Sequence, residues 1–503
     1  MTRTLRIALV AAALLPTLAT AQGAAGLAGP ACTLDYTNPP LGELARQRLA
    51  SAQGAKTGDE RAKFLRDAMK FINDKKFDVN PGARAYLTAY AAILWLQVPG
   101  VPSPVTTDFV SFPGVKGTNL DLVTTADSLL KVVEAAHPNC RSEIIGARQS
   151  DAWVERIRAA YRVLGANQLD SAQFYVKQVL TLSADAPYPY EVMSQVYDQK
   201  GDRKAKVAAL DTLLMKAAKG DTTFTEMRNR ALWNRASTLG DLADSASNAA
   251  EKARLNKESV ASYIQLVSEA PQFNLTPYAL QNAGSTIALA QDSAAASLLI
   301  APIVAAPAQY SEQALEKAGA LAMETGRKTE ALKLLDAAVV ANPYQPQTIY
   351  NLAVIYFQEK QPAKMLPLIE KQLKLDPQNP DAVLLYTYAY QLMAEATKDL
   401  KLKKAYNDSA TAFNVKSQKM TAKVGINSIS RLPTKASVTG EIENLGATPA
   451  SYELTIEFLD AKGEVVGSEK KSIGPVAAKK LGAWNASVEK AGVFGVRYQF
   501  AAK

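Results

Sequence analysis

The chain has 503 residues, 48% of them hydrophobic, with 57 Lys and Arg against 48 Asp and Glu, one histidine and two cysteines. That composition excludes a disordered or low-complexity protein and favours packed, mostly helical structure. A single histidine and two cysteines leave no material for a charge-relay triad or a multi-ligand metal site, and no phosphate loop, dinucleotide fingerprint or nucleophile elbow is present, so no cofactor, metal or enzymatic activity is expected.

The first residues read as an export signal. Arg3 and Arg6 precede the apolar run Ile7 to Leu18, and Ala19-Thr20-Ala21 offers small residues where a signal peptidase cuts. Residues 1–21 are therefore expected to be removed near Ala21, placing the mature chain in the periplasm or cell envelope. A retained membrane helix is the alternative, though the run falls short of the roughly 20 residues a bilayer core needs. Acylation of Cys32 is another, with Gly29-Pro30-Ala31 a poor box for it. In an oxidising compartment one disulfide is the simplest fate of Cys32 and Cys140; two small unpaired core residues are the other.

Residues 22–150 have a helical pattern, with Leu65, Met69 and Ile72 on one face and Leu87, Tyr90, Ala91 and Leu94 on another. Pro99, Pro102, Pro104 and Pro113 interrupt it over 98–119, as a long loop or a short hairpin, either functional or a plain connector. His137, followed by Pro138, suits a helix end.

From 151 to 415 the pattern repeats. Leu315, Gly319, Ala322, Gly326, Ala331, Ala338 and Pro343 alternate small and large as in a helix-turn-helix unit, and the next unit begins near Pro346 with Ile349, Leu352, Ala353, Tyr356, Ile369 and Pro377. Pro271, Pro307, Pro343 and Pro377 follow predicted second helices, and a proline there ends one helix and sets the turn into the next. Earlier units are expected at 155–186 and 187–220, and a stretched pair at 225–239 and 242–270. Lys206 and Met365 occupy small-residue positions, and Pro362 and Pro367 crowd one second helix. This segment resembles the tetratricopeptide repeat family, whose 34-residue units stack as antiparallel helix pairs. The resemblance implies a helical-repeat solenoid that binds other proteins.

Near residue 416 the period becomes two. Val438, Gly440 and Ile442 alternate with polar residues, as do Leu454, Ile456 and Phe458, then Val496, Tyr498 and Phe500, with turns at Asn444 to Pro449 and Asp460 to Gly463. A small all-β sandwich is expected over 416–503. Gly440-Glu-Ile442-Glu-Asn444 and Ile456-Glu-Phe458-Leu459-Asp460-Ala-Lys-Gly463 resemble the FxLYD family, with Ile456 and Leu459 replacing its usual Phe and Tyr. The family implies an extracytoplasmic accessory module and brings no catalytic residue.

The resemblance to tetratricopeptide repeats also places positions two, five, nine and twelve of each unit in the binding groove. These are Gln347, Tyr350, Val354 and Phe357, then Asp381, Leu384, Tyr388 and Gln391; upstream they are Gln313, Glu316, Ala320 and Met323, and Tyr188, Glu191, Gln195 and Asp198. The clearest units thus offer an aromatic groove for an unidentified protein or extended peptide segment, and lack the Lys and Asn with which some members grip a free C-terminus. Residues 397–503 hold 17 Lys and Arg against 10 Asp and Glu. Lys398, Lys401, Lys403, Lys404, Lys416, Lys419 and Lys423 are then either a solvated face or a contact with an anionic envelope surface. Two functions compete: an exported scaffold holding a partner in the repeat groove, and a glycan- or lipid-anchoring protein acting through its β-domain and Trp484. Nucleic acid is not an expected partner.

Overall fold

The computed structural model describes residues 32–502, so the export signal lies outside the described residues. The chain divides into two compact units, the first ending at Ala231 and the second beginning at Leu232.

The first unit is helical: α1 (Leu41–Gln53), α2 (Gly58–Ile72), α3 (Pro81–Trp95), α4 (Thr107–Val110), α5 (Leu122–Ala136), α6 (Arg141–Arg148), α7 (Asp151–Gly165), α8 (Leu169–Leu182), α9 (Tyr188–Lys200) and α10 (Arg203–Lys216). Thr57, Asn80 and Asp121 start α2, α3 and α5 by accepting the backbone N–H three residues on, the usual way of satisfying an otherwise orphaned donor. Cys32 and Cys140 are bonded, with their Cα atoms 4.5 Å apart. The Thr33 hydroxyl reaches His137 Nδ1 and Asn139 Oδ1 at 3.2 and 3.0 Å, so the N-terminal strap is tied to the end of α5 by covalent and polar contacts together. The segment expected as loop or hairpin is a loop closed by a minimal hairpin: β1 (Val105–Thr106) pairs with β2 (Asn119–Leu120) around α4. Phe109 pins it against Trp95, with the Arg66 guanidinium 5.3 Å from one ring and 5.6 Å from the other.

In the second unit, α11 (Thr225–Asp244), which carries the boundary, is followed by α12 (Ala249–Glu269), α13 (Thr276–Ala290), α14 (Ser293–Ala305), α15 (Glu312–Glu324), α16 (Lys328–Ala341), α17 (Pro346–Gln358), α18 (Pro362–Leu375), α19 (Pro380–Ala396) and α20 (Leu400–Gln418). The expected break at 240–241 is misplaced: α11 runs through it, and the next helix starts where Asn248 caps the Glu251 N–H. Pro271, Pro307, Pro343 and Pro377 each stand two residues past the last helical residue of α12, α14, α16 and α18. Gly319 is fixed by packing, because a Cβ there would lie 2.7 Å from the Leu335 side chain, and α15 could not close on α16. Met365, in a small-residue position, is fully buried, while Lys206 in the first unit sends its amine to Asp198 at 2.8 Å.

The β-domain begins later than expected, since α20 continues through Gln418. Two antiparallel sheets form a sandwich: β3 (Ala422–Arg431), β4 (Ala436–Asn444) and β7 (Leu481–Val488) in the order β3-β4-β7, and β5 (Ala450–Leu459), β6 (Val465–Val476) and β8 (Gly495–Ala502) in the order β6-β5-β8. Val424, Val438, Ile442, Leu454, Ile456, Phe458 and Tyr498 fill its core. Trp484 belongs to that core at 6% exposure, and it lies on Gly440, where any Cβ would collide with the indole and with the Gly425 carbonyl. The surface role considered for Trp484 is therefore corrected to packing.

The groove face and its rim

Helices α15, α17 and α19 are the first helices of successive pairs, and each packs on the next. Of the anticipated groove residues, Tyr350, Val354 and Phe357 on α17 and Leu384 and Tyr388 on α19 are half-buried, whereas Gln347, Asp381 and Gln391 are exposed. Phe357 and Tyr388 stack across the two helices with ring centroids 5.1 Å apart and planes inclined by 27°. Burial raises the Tyr350 hydroxyl above its ordinary range, with the Asp381 charge adding to it and Lys423 opposing. Gln347 spends its amide on Asn351 at 2.9 Å.

The upstream positions differ. Glu316 is buried beside Lys317, and Glu191 takes hydrogen bonds from the Tyr161 hydroxyl at 2.5 Å and from Arg230 at 3.1 Å. Tyr188 packs edge-on against Trp153 and Phe224. Those side chains are engaged within the array, whereas α17 and α19 together carry half-buried aromatic rings on adjacent first helices.

One edge of this surface is bounded by the sandwich, a contact invisible at the level of sequence motifs. Lys423, read as one of a run of lysines, donates to Asp381 at 2.6 Å, and this hydrogen bond raises the lysine's pKa. Nearby, the Val424 N–H donates to the Gln378 carbonyl, and Arg431 pairs with Glu312 at the first turn of α15. Strand β3 thus runs past the N-terminal ends of the groove helices. Strand β8 takes the adjoining loops: the Tyr498 hydroxyl donates to the Asp376 carboxylate and accepts the Gln378 N–H at 3.0 Å, and Asn342 donates to the Phe494 carbonyl at 3.0 Å. Leu459 is buried with Ile349 and Leu375, and Tyr344 wedges so closely against Gly463 and Gly495 that neither position has room for a Cβ. Burial pushes the Asp376 carboxyl above its ordinary value, more than the hydrogen bonds from Tyr498 and Asn379 lower it, and burial likewise raises Tyr498 well above the usual phenol range.

Residues 346–379, α17 with α18 and the turn that follows, match the family model for the tetratricopeptide repeat. Over this pair the chain is similar to a tetratricopeptide repeat. Solved structures similar to the chain include YrrB, described as a tetratricopeptide repeat protein with an unusual peptide-binding site, at 15% identity over 47% of this chain and 91% of that one with a TM-score of 0.25. A tetratricopeptide repeat protein from Parabacteroides merdae is similar at 16% identity over 52% of this chain and 100% of the other, TM-score 0.27. The tetratricopeptide repeat domain of P58(IPK) is similar at 13% identity over 76% and 99%, TM-score 0.21. The comparison with curated proteins gives no match.

The repeat's own features agree with the local packing: Pro346 opens α17, Ala353 and Tyr356 are buried, and Pro377 follows α18. Among the described residues no group of His, Cys, Asp or Glu is arranged to hold a metal ion, and no helix is long and apolar enough to cross a membrane. Of the remaining lysines in the basic stretch, Lys398, Lys401, Lys403, Lys404, Lys416 and Lys419 are exposed, Lys404 pairing with Asp408 at 2.8 Å along α20. Exposed lysines on and beside α20 fit a solvated face, and no contact of these residues points to an anionic surface.

Proposed function

We propose that the protein is an exported scaffold of the cell envelope whose tetratricopeptide repeats hold an extended segment of a partner protein against α17 and α19. The observation that carries this reading is the stacked, half-exposed pair Phe357 and Tyr388, continued by Tyr350, Val354 and Leu384. Such rings offer a large contact area with few rotatable bonds, which is what anchors an extended peptide at low entropic cost. Export rests on the Arg3 to Ala21 signal pattern. The sandwich supports the groove by fixing its rim through Lys423, Arg431 and Tyr498. An anchoring role through Trp484 has no comparable support, because that ring is enclosed.

Crosslinking with mass spectrometry in the native envelope tests the reading. The Tyr350→Ala, Phe357→Ala double variant is expected to lose partner crosslinks at the 346–391 face while keeping its circular dichroism spectrum. Unchanged crosslinks would sink the groove.

A further inference from the structure

Three helices of the first unit, α8, α9 and α10, leave an open cleft of about 600 Å³ between them. Its cause is in the sequence. Helix α10 presents Ala205, Ala208 and Ala209 to it, side chains too short to fill the gap opposite Val176 and Leu180 of α8, and Met193 with two tyrosine rings of α9 completes the lining. Small-ligand sites span about 300 to 1,000 Å³ and are mostly apolar with a few placed polar groups. The polar atoms here divide into those already used and those still available. Thr181 and Thr212 donate to the Lys177 and Ala208 carbonyls one turn back, at 2.9 and 3.0 Å, and the Tyr190 hydroxyl donates to the Ala184 carbonyl at 3.3 Å. Gln173 gives its side-chain oxygen to the Lys200 amine at 2.7 Å, which leaves its NH2. The Lys177 amine, exposed at the rim, and the Tyr197 hydroxyl have no hydrogen-bond or ion-pair partner among the described residues. No carboxylate lines the cleft. Asp170, Asp185 and Asp198, from α8, the turn after it and α9, are each paired with a lysine, at 3.0, 3.0 and 2.8 Å.

The available donors share one end. Side chains of a helix lean toward its N-terminus, so Lys177 lies over the turn that carries Gln173, and Tyr197 stands one turn before Lys200, which reaches across to Gln173. The other end offers carbon: the methyl groups of Thr181 and Thr212, and Met215, 72% exposed one turn further along α10. From Gln173 to Thr181 the cleft runs about 12 Å along α8. Hydrocarbon walls of that length with donors and one unpaired positive charge at a single end are complementary to a chain with an anionic head. A peptide would bring a backbone donor and acceptor at every residue, and these walls have no partners for them. A hydrocarbon chain brings none, and a single lysine matches a monoanion.

We infer that α8, α9 and α10 form a binding site for a free fatty acid, its carboxylate at Lys177, Gln173 and Tyr197 and its chain running toward Met215. The site lies wholly in the first unit and does not rest on the α17 and α19 groove.

Isothermal titration calorimetry of decanoate into the full chain tests the site. One saturable event with a Kd on the order of 100 micromolar is expected. Hexanoate, four methylenes shorter, should bind at least tenfold more weakly, because each methylene adds to the apolar area removed from water. Decanol, which has the chain without the charge, should bind at least fivefold more weakly than decanoate, and Lys177→Glu should weaken decanoate by a similar factor. Ala208 is exposed on the rim, so Ala208→Trp fills the cleft without entering the core. It should abolish binding with an unchanged melting temperature. Absence of saturable decanoate binding, equal affinity for decanol, or undiminished binding by Ala208→Trp would overturn the assignment. If decanoate does not bind and Ala208→Trp instead abolishes a concentration-dependent self-association, the cleft is an interface between copies and the assignment falls.

Discussion

Single residues at the repeat and sandwich contact decide more than their surroundings suggest. Tyr498 satisfies two buried partners with one hydroxyl, the Asp376 carboxylate and the Gln378 N–H. Tyr498→Phe removes both bonds and leaves the partners in place, so a loss of about 2 to 3 kcal/mol in urea unfolding is expected. Asp376 itself makes stability depend on pH. Its folded-state pKa is raised above 3.8, so the folded chain binds this proton more readily than the unfolded chain does. The resulting stabilisation is full below the unfolded value and is lost as pH rises through the folded one. Asp376→Asn should therefore flatten the decline in stability over the interval just above pH 4, measured as the difference between variant and wild-type urea midpoints at each pH. Gly440→Ala drives a methyl group into Trp484 and the Gly425 carbonyl, and should cost about 3 kcal/mol by thermal denaturation.

At the level of elements, the covalent strap across the first unit has the larger reach. The Cys32 and Cys140 bond closes a sequence separation of 108 residues, and Cys140→Ser should cost about 2 to 4 kcal/mol, read as a fall in melting temperature that reductant reproduces in the wild type. The helices themselves were legible in the sequence because their signals are local. A proline after α12, α14, α16 or α18 acts through its own ring and its missing N–H, whatever packs around it. Strand alternation is equally local, and it located β4, β5 and β8. The break between α11 and α12 was misread because the decisive signal, the Asn248 cap, lies within a run of Ser, Ala and Asn that has no hydrophobic period. Of the positions expected in the groove, those on α17 and α19 include Asp381, which is engaged. Its partner Lys423 lies 42 residues away, and no spacing rule reports a contact across two kinds of secondary structure. The same holds for Asp376, which reads as a repeat ending and is also one half of a bond to Tyr498.

Across the second unit, the change from helical to β composition near residue 416 suggested a divisible chain, but repeats and sandwich share one buried contact through Leu459, Ile349 and Leu375. Tyr344→Ala should loosen it, since that ring occupies the space kept free at Gly463 and Gly495. Limited proteolysis of the full chain would show this as faster cleavage between α20 and β3, with the wild type resistant there. The sandwich meets the repeats through β3, β8 and the end of β5 with the turn after it, where Leu459 and Gly463 lie. Emergence of the chain from its N-terminus gives that arrangement a direction. Chains emerge from the N-terminus and fold as they appear, so the loops bearing Asn342, Asp376 and Gln378 are in place before β3 is made, and β8 arrives after every other strand. A newly emerged β3 meets a ready surface instead of another chain's free edge, and the arrival of Tyr498 completes both the second sheet and the joint in a single closing step.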